Sequence, residues 1–180
     1  MCSIILEIMK LSQQKFAQIY QEQVKSIFRF IYLRTNSKEI AEDLTANVFL
    51  KYWKFVNSKT TPVDNPRAFL YQTARHILID YYRQNKNNIL SLDEKDELAE
   101  LIPDQKLNPA QKNIITENIK KMQLSLSQLK SEYQEVLIWK YLDKLKTKEI
   151  ARIIDRPPEA VRTLASRALK ALRKIYEESN

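Results

Sequence analysis

The chain has 180 residues, room for one large domain or two small ones at about 100 to 200 residues per domain. Thirty Lys and Arg against 22 Asp and Glu give a net charge of +8, which points to a polyanionic partner: nucleic acid first, an anionic membrane surface second. With no glycine, one histidine and one cysteine, the chain excludes Gly-rich phosphate loops, dinucleotide turns, internal disulfides and metal clusters built on Cys or His.

The opening stretch, MCSIILEIMK, lacks a basic leader and a small-residue cleavage site, so it does not resemble a signal peptide, and Cys2 within it is expected to be inert. No apolar run approaches the roughly 18 residues of a membrane span. A reducing, cytoplasmic location is expected. From Leu11 to about Tyr82 apolar residues recur at helical spacing: Phe16, Ile19 and Tyr20, then Ile27, Phe28 and Ile31, then Leu44, Val48, Phe49 and Tyr52. At least three helices are predicted. The breaks fall at Thr35-Asn36-Ser37, where Asn can take a left-handed stop and Ser can cap the next start, and at Ser58 to Pro66, which holds two prolines.

The helix Glu39 to Phe55 carries acids at Glu39, Glu42 and Asp43 beside an apolar stripe of Leu44, Val48, Phe49 and Tyr52. In the next helix, Asn65 to Lys86, Arg67, Arg75, Arg83 and Lys86 interleave with Phe69, Tyr71, Tyr81 and Tyr82. Rings beside cations suit single-stranded DNA, because bases stack on the rings while phosphates pair with the cations. Ala68, Leu70, Ala74, Ile77 and Leu78 read as core, as do Trp53 and, further on, Trp139.

Residues 84–110 are polar, hold Pro103 and Pro109, and lack sustained periodicity, as a linker does. Net charge runs +6 over 1–90, −4 over 91–110 and +6 over 111–180, so two basic halves flank an acidic tether. The predicted organisation is a domain at 1–86, a linker at 87–111 and a second domain at 112–180. Helical spacing resumes with Ile119, Met122 and Leu126, then Tyr133, Val136, Leu137 and Tyr141, then Ile150 through Leu172. Strand-like alternation with paired turn signals is missing throughout, so the fold class is all-α, two small helical domains.

Thr147 to Lys174 has the grammar of a helix-turn-helix: a short helix, a tight break at Asp155-Arg156-Pro157, and a longer basic helix. Pro157 and Pro158 suit a helix start, where a missing N–H costs little. Small Ala151 lets the helices cross closely, with Val161, Ala165 and Leu169 expected to face it. The exposed stripe would then hold Arg162, Thr163, Ser166, Arg167 and Lys170, side chains suited to guanine acceptors, base edges and phosphates in a major groove. Arg173 and Lys174 fit backbone contacts. The bland alternative is an amphipathic hairpin with a solvated basic face; the tandem prolines and Ala151 favour DNA.

Lys130 to Lys174 resembles, almost without gaps, the fourth conserved region of extracytoplasmic-function sigma factors, which reads the minus thirty-five promoter element. Lys144 and Asp155 stand where many members have Gly, Lys146 where a Ser cap is usual, and Leu164 where Arg is frequent. The Glu39–Phe55 helix resembles the second conserved region, which docks on the clamp helices of the polymerase large subunit; the resemblance implies Glu42, Asp43, Asn47 and Lys51 as docking residues, with Ala46 and Asn47 replacing the usual Gln and Glu. The helix after it is implied to capture the melted minus ten element through Asn65, Arg67, Tyr71, Arg75, His76, Tyr82 and Arg83, with the loop at Ser58 to Asn65 as base pocket and His76 standing for a frequent Asn. Expected partners are core RNA polymerase, through the clamp and flap of its large subunit, promoter DNA, and an anti-sigma protein of the kind that often restrains family members. No cofactor, metal or catalytic residue is expected. Three rivals are a stand-alone helix-turn-helix regulator that needs no polymerase, a helical adaptor that binds protein alone, and, least favoured, an enzyme, for which no nucleophile, base and orienter fall at sensible spacing.

Overall fold

The computed structural model describes residues 2–58, 63–85 and 121–178. Among them no strand occurs; the regular elements are helices, as the spacing predicts. The chain divides into two compact units, Met1–Leu90 and Ser91–Asn180. The expected linker, 87–111, lies outside the described residues, as do 59–62 of the expected base-pocket loop.

In the first unit α1 (Cys2–Thr35), α2 (Lys38–Ser58) and α3 (Pro66–Gln84) pack pairwise as a three-helix bundle. Helix α1 starts well before the expected Leu11. It stops where the sequence provides a left-handed residue: Asn36 adopts φ 52°, and its N–H returns to the Tyr32 carbonyl at 2.8 Å. The Ser37 hydroxyl then accepts the Ile40 N–H at 3.4 Å, a long cap that starts α2. Helix α3 starts on Asn65, whose side chain accepts from the Ala68 N–H at 3.0 Å, with Pro66 next in line. Ile27, Phe30 and Ile31 of α1, Val48 of α2, and Leu70 and Ala74 of α3 are wholly buried. Each large apolar side chain contributes about 1.5–3 kcal/mol on leaving water, so this cluster, more than helix propensity, holds the bundle together. Aromatic edges extend it: Phe16 meets Trp53 at 4.9 Å, and Tyr20 meets Phe49 at 4.7 Å.

The second unit is built from α4 (described over 121–127), α5 (Ser131–Leu137), α6 (Thr147–Ile154) and α7 (Pro158–Glu178). Helices α5 and α6 both pack on α7 around wholly buried Val136, Ile138, Trp139, Ile150 and Val161. Buried Gln134 donates from Nε2 to the Ser127 and Leu129 carbonyls, at 3.1 and 2.8 Å, which satisfies the α4–α5 turn. Helix α5 runs directly into a π-helical segment, Ile138–Leu142, with Asp143 N–H bonded five residues back to the Ile138 carbonyl at 2.9 Å. That wider turn breaks the helical phase. Trp139 stays buried, but Tyr141, expected in the same apolar row as Val136 and Leu137, is 48% exposed.

Two left-handed residues frame α6: Lys144 at φ 53° and Asp155 at φ 52°. Both are positions where many members of the resembled family have glycine. Between them, the Lys146 N–H donates to the Glu149 carboxylate at 2.8 Å, while the Lys146 ammonium has no lone pair to return. Helix α6 therefore starts on half a capping box. A left-handed L-residue costs about 1–2 kcal/mol, less for Asp than for Lys, and glycine forfeits part of the gain through its freer unfolded chain. Lys144→Gly should therefore raise the stability of the second unit by roughly 0.5–1 kcal/mol, seen as a melting transition a few degrees higher; Asp155→Gly should gain less. A lower melting temperature for Lys144→Gly would contradict the argument.

Candidate nucleic-acid interface

The helix-turn-helix geometry of the second unit begins at Asp155. Its left-handed turn brings the Arg156 N–H back to the Ala151 carbonyl at 3.0 Å, which closes α6. The Pro157 carbonyl then accepts from Ala160 and Val161, at 3.0 and 3.3 Å, so Pro158 is the first residue of α7. Arg156 is tied back to Glu132 of α5 at 2.7 Å, which steadies the turn. Buried Ile150 and Ala151 of α6 oppose buried Val161, Ala165 and Ala168 of α7. Small side chains on both helices allow the close crossing.

Leu169, expected to face α6, is instead 42% exposed, and Ala168 takes its place. The reason is phase: at about 100° per residue, steps of four advance by about 40°, so Val161 to Ala165 to Leu169 drifts off the apolar face, whereas a step of seven from Val161 to Ala168 returns to within about 20°. The polar arc is as predicted. Arg162, Thr163, Ser166, Arg167 and Lys170 are all exposed, with Arg173 and Lys174 one turn on. Arg162 pairs with Glu159 at 3.0 Å, and the Thr163 hydroxyl donates to the Glu159 carbonyl at 3.1 Å. A backbone hydrogen bond at Glu159 itself, and after it the Arg162 guanidinium, hold the Glu159 carboxyl below its ordinary range. Lys148 and Arg152, one helical turn apart on the exposed side of α6, were not among the expected contacts. In this motif the first helix crosses the DNA backbone, so an i, i+4 basic pair there was the available signal.

On α2, Glu42, Asp43, Asn47 and Lys51 share an exposed face opposite buried Ala41, Thr45, Val48, Phe49 and Tyr52. Leu50 lies in that same exposed face at 48% exposure, an apolar side chain the expected docking set omitted. It falls out of phase with Val48, Phe49 and Tyr52, which was the readable clue.

The expected set on α3 divides. His76 and Arg83 are exposed and Arg67 and Arg75 are half-buried. Tyr71 must be removed: it is 0% exposed, its ring edge-on to Phe30 at 5.7 Å, so it belongs to the core and offers no face for a base. Half-buried Asn65 spends its side-chain oxygen on the helix cap. Tyr82 is half-buried, donates its hydroxyl to the Arg34 carbonyl, and ties the C-terminal ends of α1 and α3 together.

Burial pushes the Tyr82 phenol above its ordinary 10.0, with the Arg34 charge pulling the other way. A raised phenol favours the fold while neutral: its contribution is complete below pH 10.0 and is lost as pH rises from there toward the folded value. Tyr82→Phe should cost the first unit about 1 kcal/mol at neutral pH and should make the alkaline loss of stability shallower. Melting curves of both proteins across alkaline pH test this; equal slopes would show that the phenol is not coupled to folding.

Among the described residues no group of three or more His, Cys, Asp or Glu could hold a metal, and no helix is long and apolar enough to cross a membrane. Residues 17–88 match the family model for Sigma-70 region 2, and residues 119–172 match that for Sigma-70, region 4. The chain is 28% identical over 159 residues to the ECF RNA polymerase sigma factor SigM of Bacillus subtilis, an alignment covering 88% of this chain and 93% of that one. It is 25% identical over 170 residues to SigX, an ECF RNA polymerase sigma factor of the same organism, covering 92% and 85%. In fold it is similar to the sigma factor RpoE, solved in complex with the anti-sigma factor NepR from Bartonella quintana, with TM-score 0.69, 16% identity, and 91% of this chain and 98% of that one covered. It is also similar to CnrH, solved in complex with the cytosolic domain of CnrY, with TM-score 0.62, 14% identity, and 93% and 91% covered. With both regions present in order and relatives aligned over most of their length, the chain belongs to the extracytoplasmic-function branch of the sigma-70 family of RNA polymerase sigma factors.

Proposed function

We infer that this chain directs core RNA polymerase to specific promoters and starts transcription there, working by binding rather than by a catalytic step, in the bacterial cytoplasm where polymerase acts. The acidic and apolar outer face of α2, with Glu42, Asp43, Asn47 and Lys51, docks on the clamp helices of the polymerase large subunit. Helix α7 enters the major groove of the minus thirty-five element through Arg162, Thr163, Ser166, Arg167 and Lys170. His76 and Arg83, which share an exposed face of α3, line the path of the melted minus ten strand, and half-buried Arg67 and Arg75 contribute from other sides of that helix. The second unit also meets the polymerase flap. Because RpoE, which is similar in fold, was captured with the anti-sigma factor NepR, an inhibitory protein partner belongs to this reading.

What carries it is the pairing of two different surfaces on one chain: an exposed helix face in the first unit that sets Glu42 and Asp43 beside Leu50 and Lys51, and an exposed basic helix in the second. Two weak DNA contacts joined by one chain raise each other's effective concentration, and the polymerase adds a third anchor. Transcription by purified core polymerase on a promoter library, with and without this chain, tests the reading. The expected result is a set of transcripts that depend on the chain and share an upstream and a melted element. Failure to bind core polymerase at any salt overturns the reading, and sequence-specific duplex binding in that same experiment would favour a stand-alone regulator instead.

A further inference from the structure

Between Ile153, the last buried residue of α6, and Val161, the first of α7, the chain runs through 154–160 without a buried residue. This stretch holds the end of α6, the turn of the helix-turn-helix, and the first three residues of α7, Pro158 to Ala160. The backbone donors of the turn are either spent or missing. The Asp155 and Arg156 N–H groups both go to the Ala151 carbonyl of α6, and Pro157 and Pro158 have none. What reaches beyond α6 is the Arg156 side chain: Nη2 donates to Oε1 of Glu132 at 2.7 Å and Nη1 to Oε2 at 3.4 Å. Glu132 lies in the first turn of α5, 24 residues back in the sequence.

Two ordinary explanations fall short. An ion pair with side chains 44% and 46% exposed adds little to folding. A guanidinium this close to the start of α7 would also suit a phosphate, but both of its terminal nitrogens face a carboxylate of the same chain, fork to fork, a geometry that fixes direction as well as charge. The fork joins α5, which packs on α7, to a stretch that the core does not anchor. Its effect therefore falls on where the start of α7 points.

Resting on the reading of α7 as the helix that enters the upstream major groove, we propose that Glu132 and Arg156 are positioning residues for promoter recognition: the fork anchors the turn to α5 and presets the start of α7, so that the helix docks without first having to be ordered. Neither side chain needs to touch a base. A preformed surface binds more tightly because less freedom is lost on association.

Two measurements on the full chain test this. Amide hydrogen exchange of the free protein reads the anchor: the Ala160 and Val161 N–H groups, bonded to the Pro157 carbonyl at 3.0 and 3.3 Å, should exchange about two- to fivefold faster in Glu132→Gln, Arg156→Gln and Arg156→Lys, while Ala168, further along α7, keeps its native rate. Binding of the chain, carried on core polymerase, to duplexes bearing its selected upstream element reads the consequence. Each variant should bind about two- to fivefold more weakly with an unchanged salt slope, and Glu132→Gln combined with Arg156→Gln should cost no more than either alone. Arg156→Lys keeps the charge and loses the fork, so it separates positioning from charge. Native binding by Arg156→Lys, with a salt slope lowered by about 1 in Arg156→Gln, would make Arg156 a phosphate contact and overturn the proposal. Native exchange rates in all three variants, or Glu132→Gln binding as well as the native chain or better, would overturn it too. If exchange accelerates as expected but the native chain selects no upstream element, the fork stands as an anchor and the underlying reading of α7 fails instead.

Discussion

Arg167→Ala should leave the protein folded and bound to core polymerase, yet reduce discrimination at one base pair of the upstream element by about 5- to 150-fold, the equivalent of about 1–3 kcal/mol for a lost bidentate contact to guanine. Arg167 is exposed on the polar arc of α7 that we propose enters the groove, while the packing of that helix rests on Val161, Ala165 and Ala168, so truncation removes no core volume. Arg173→Ala provides the contrast. That side chain lies a turn and a half further along the exposed face, where a phosphate contact is expected; its loss should weaken binding evenly across sequences and lower the salt slope by about 1. Measured side by side on matched and mismatched promoters, the two variants separate base reading from backbone positioning. Native discrimination by Arg167→Ala would place the reading elsewhere on the helix.

How far the sequence could be read depended on whether a feature is local. In a chain with no glycine, the left-handed residues among those described fall on Asn36, Lys144 and Asp155, each within a break visible in the apolar spacing, because a helix stop is set by the few residues around it. The polar arc of α7 was legible for the same reason: five exposed residues follow from helical spacing once the start is pinned by Pro157 and Pro158. Errors came where phase mattered over more than two turns. Leu169 sat at the end of a drift in steps of four, and Tyr141 lies within a π-turn that no propensity signals. Tyr71 was misassigned for a different reason. The alternation of rings and cations counts residue types without asking which face they occupy, yet Tyr71 stands three residues before Ala74 and seven before Leu78, both read correctly as core. Helical phase should have overruled composition there.

Leu50→Asp should reduce binding to core polymerase by more than about 30-fold, the effect of losing roughly 2 kcal/mol at the centre of an interface. An apolar side chain that is 48% exposed amid Asp43, Asn47 and Lys51 gains free energy only when something covers it, and docking proteins commonly place such anchors inside a charged rim. A carboxylate at that point would be desolvated on docking without an arranged donor, which costs more than deleting the contact; Leu50→Ala should therefore fall between the native protein and Leu50→Asp. Asp43→Ala should act in the same direction, because it removes a charge from the same face. The fold should survive all three, since Ala41, Val48 and Phe49, on the other side of α2, carry the packing. Titration against core polymerase measures the loss directly, and native affinity in Leu50→Asp would remove this face from the docking surface. The two kinds of variant should also differ in transcription. A chain that cannot dock should lose all its promoters together, whereas Arg167→Ala should change which promoters are used while the polymerase remains engaged.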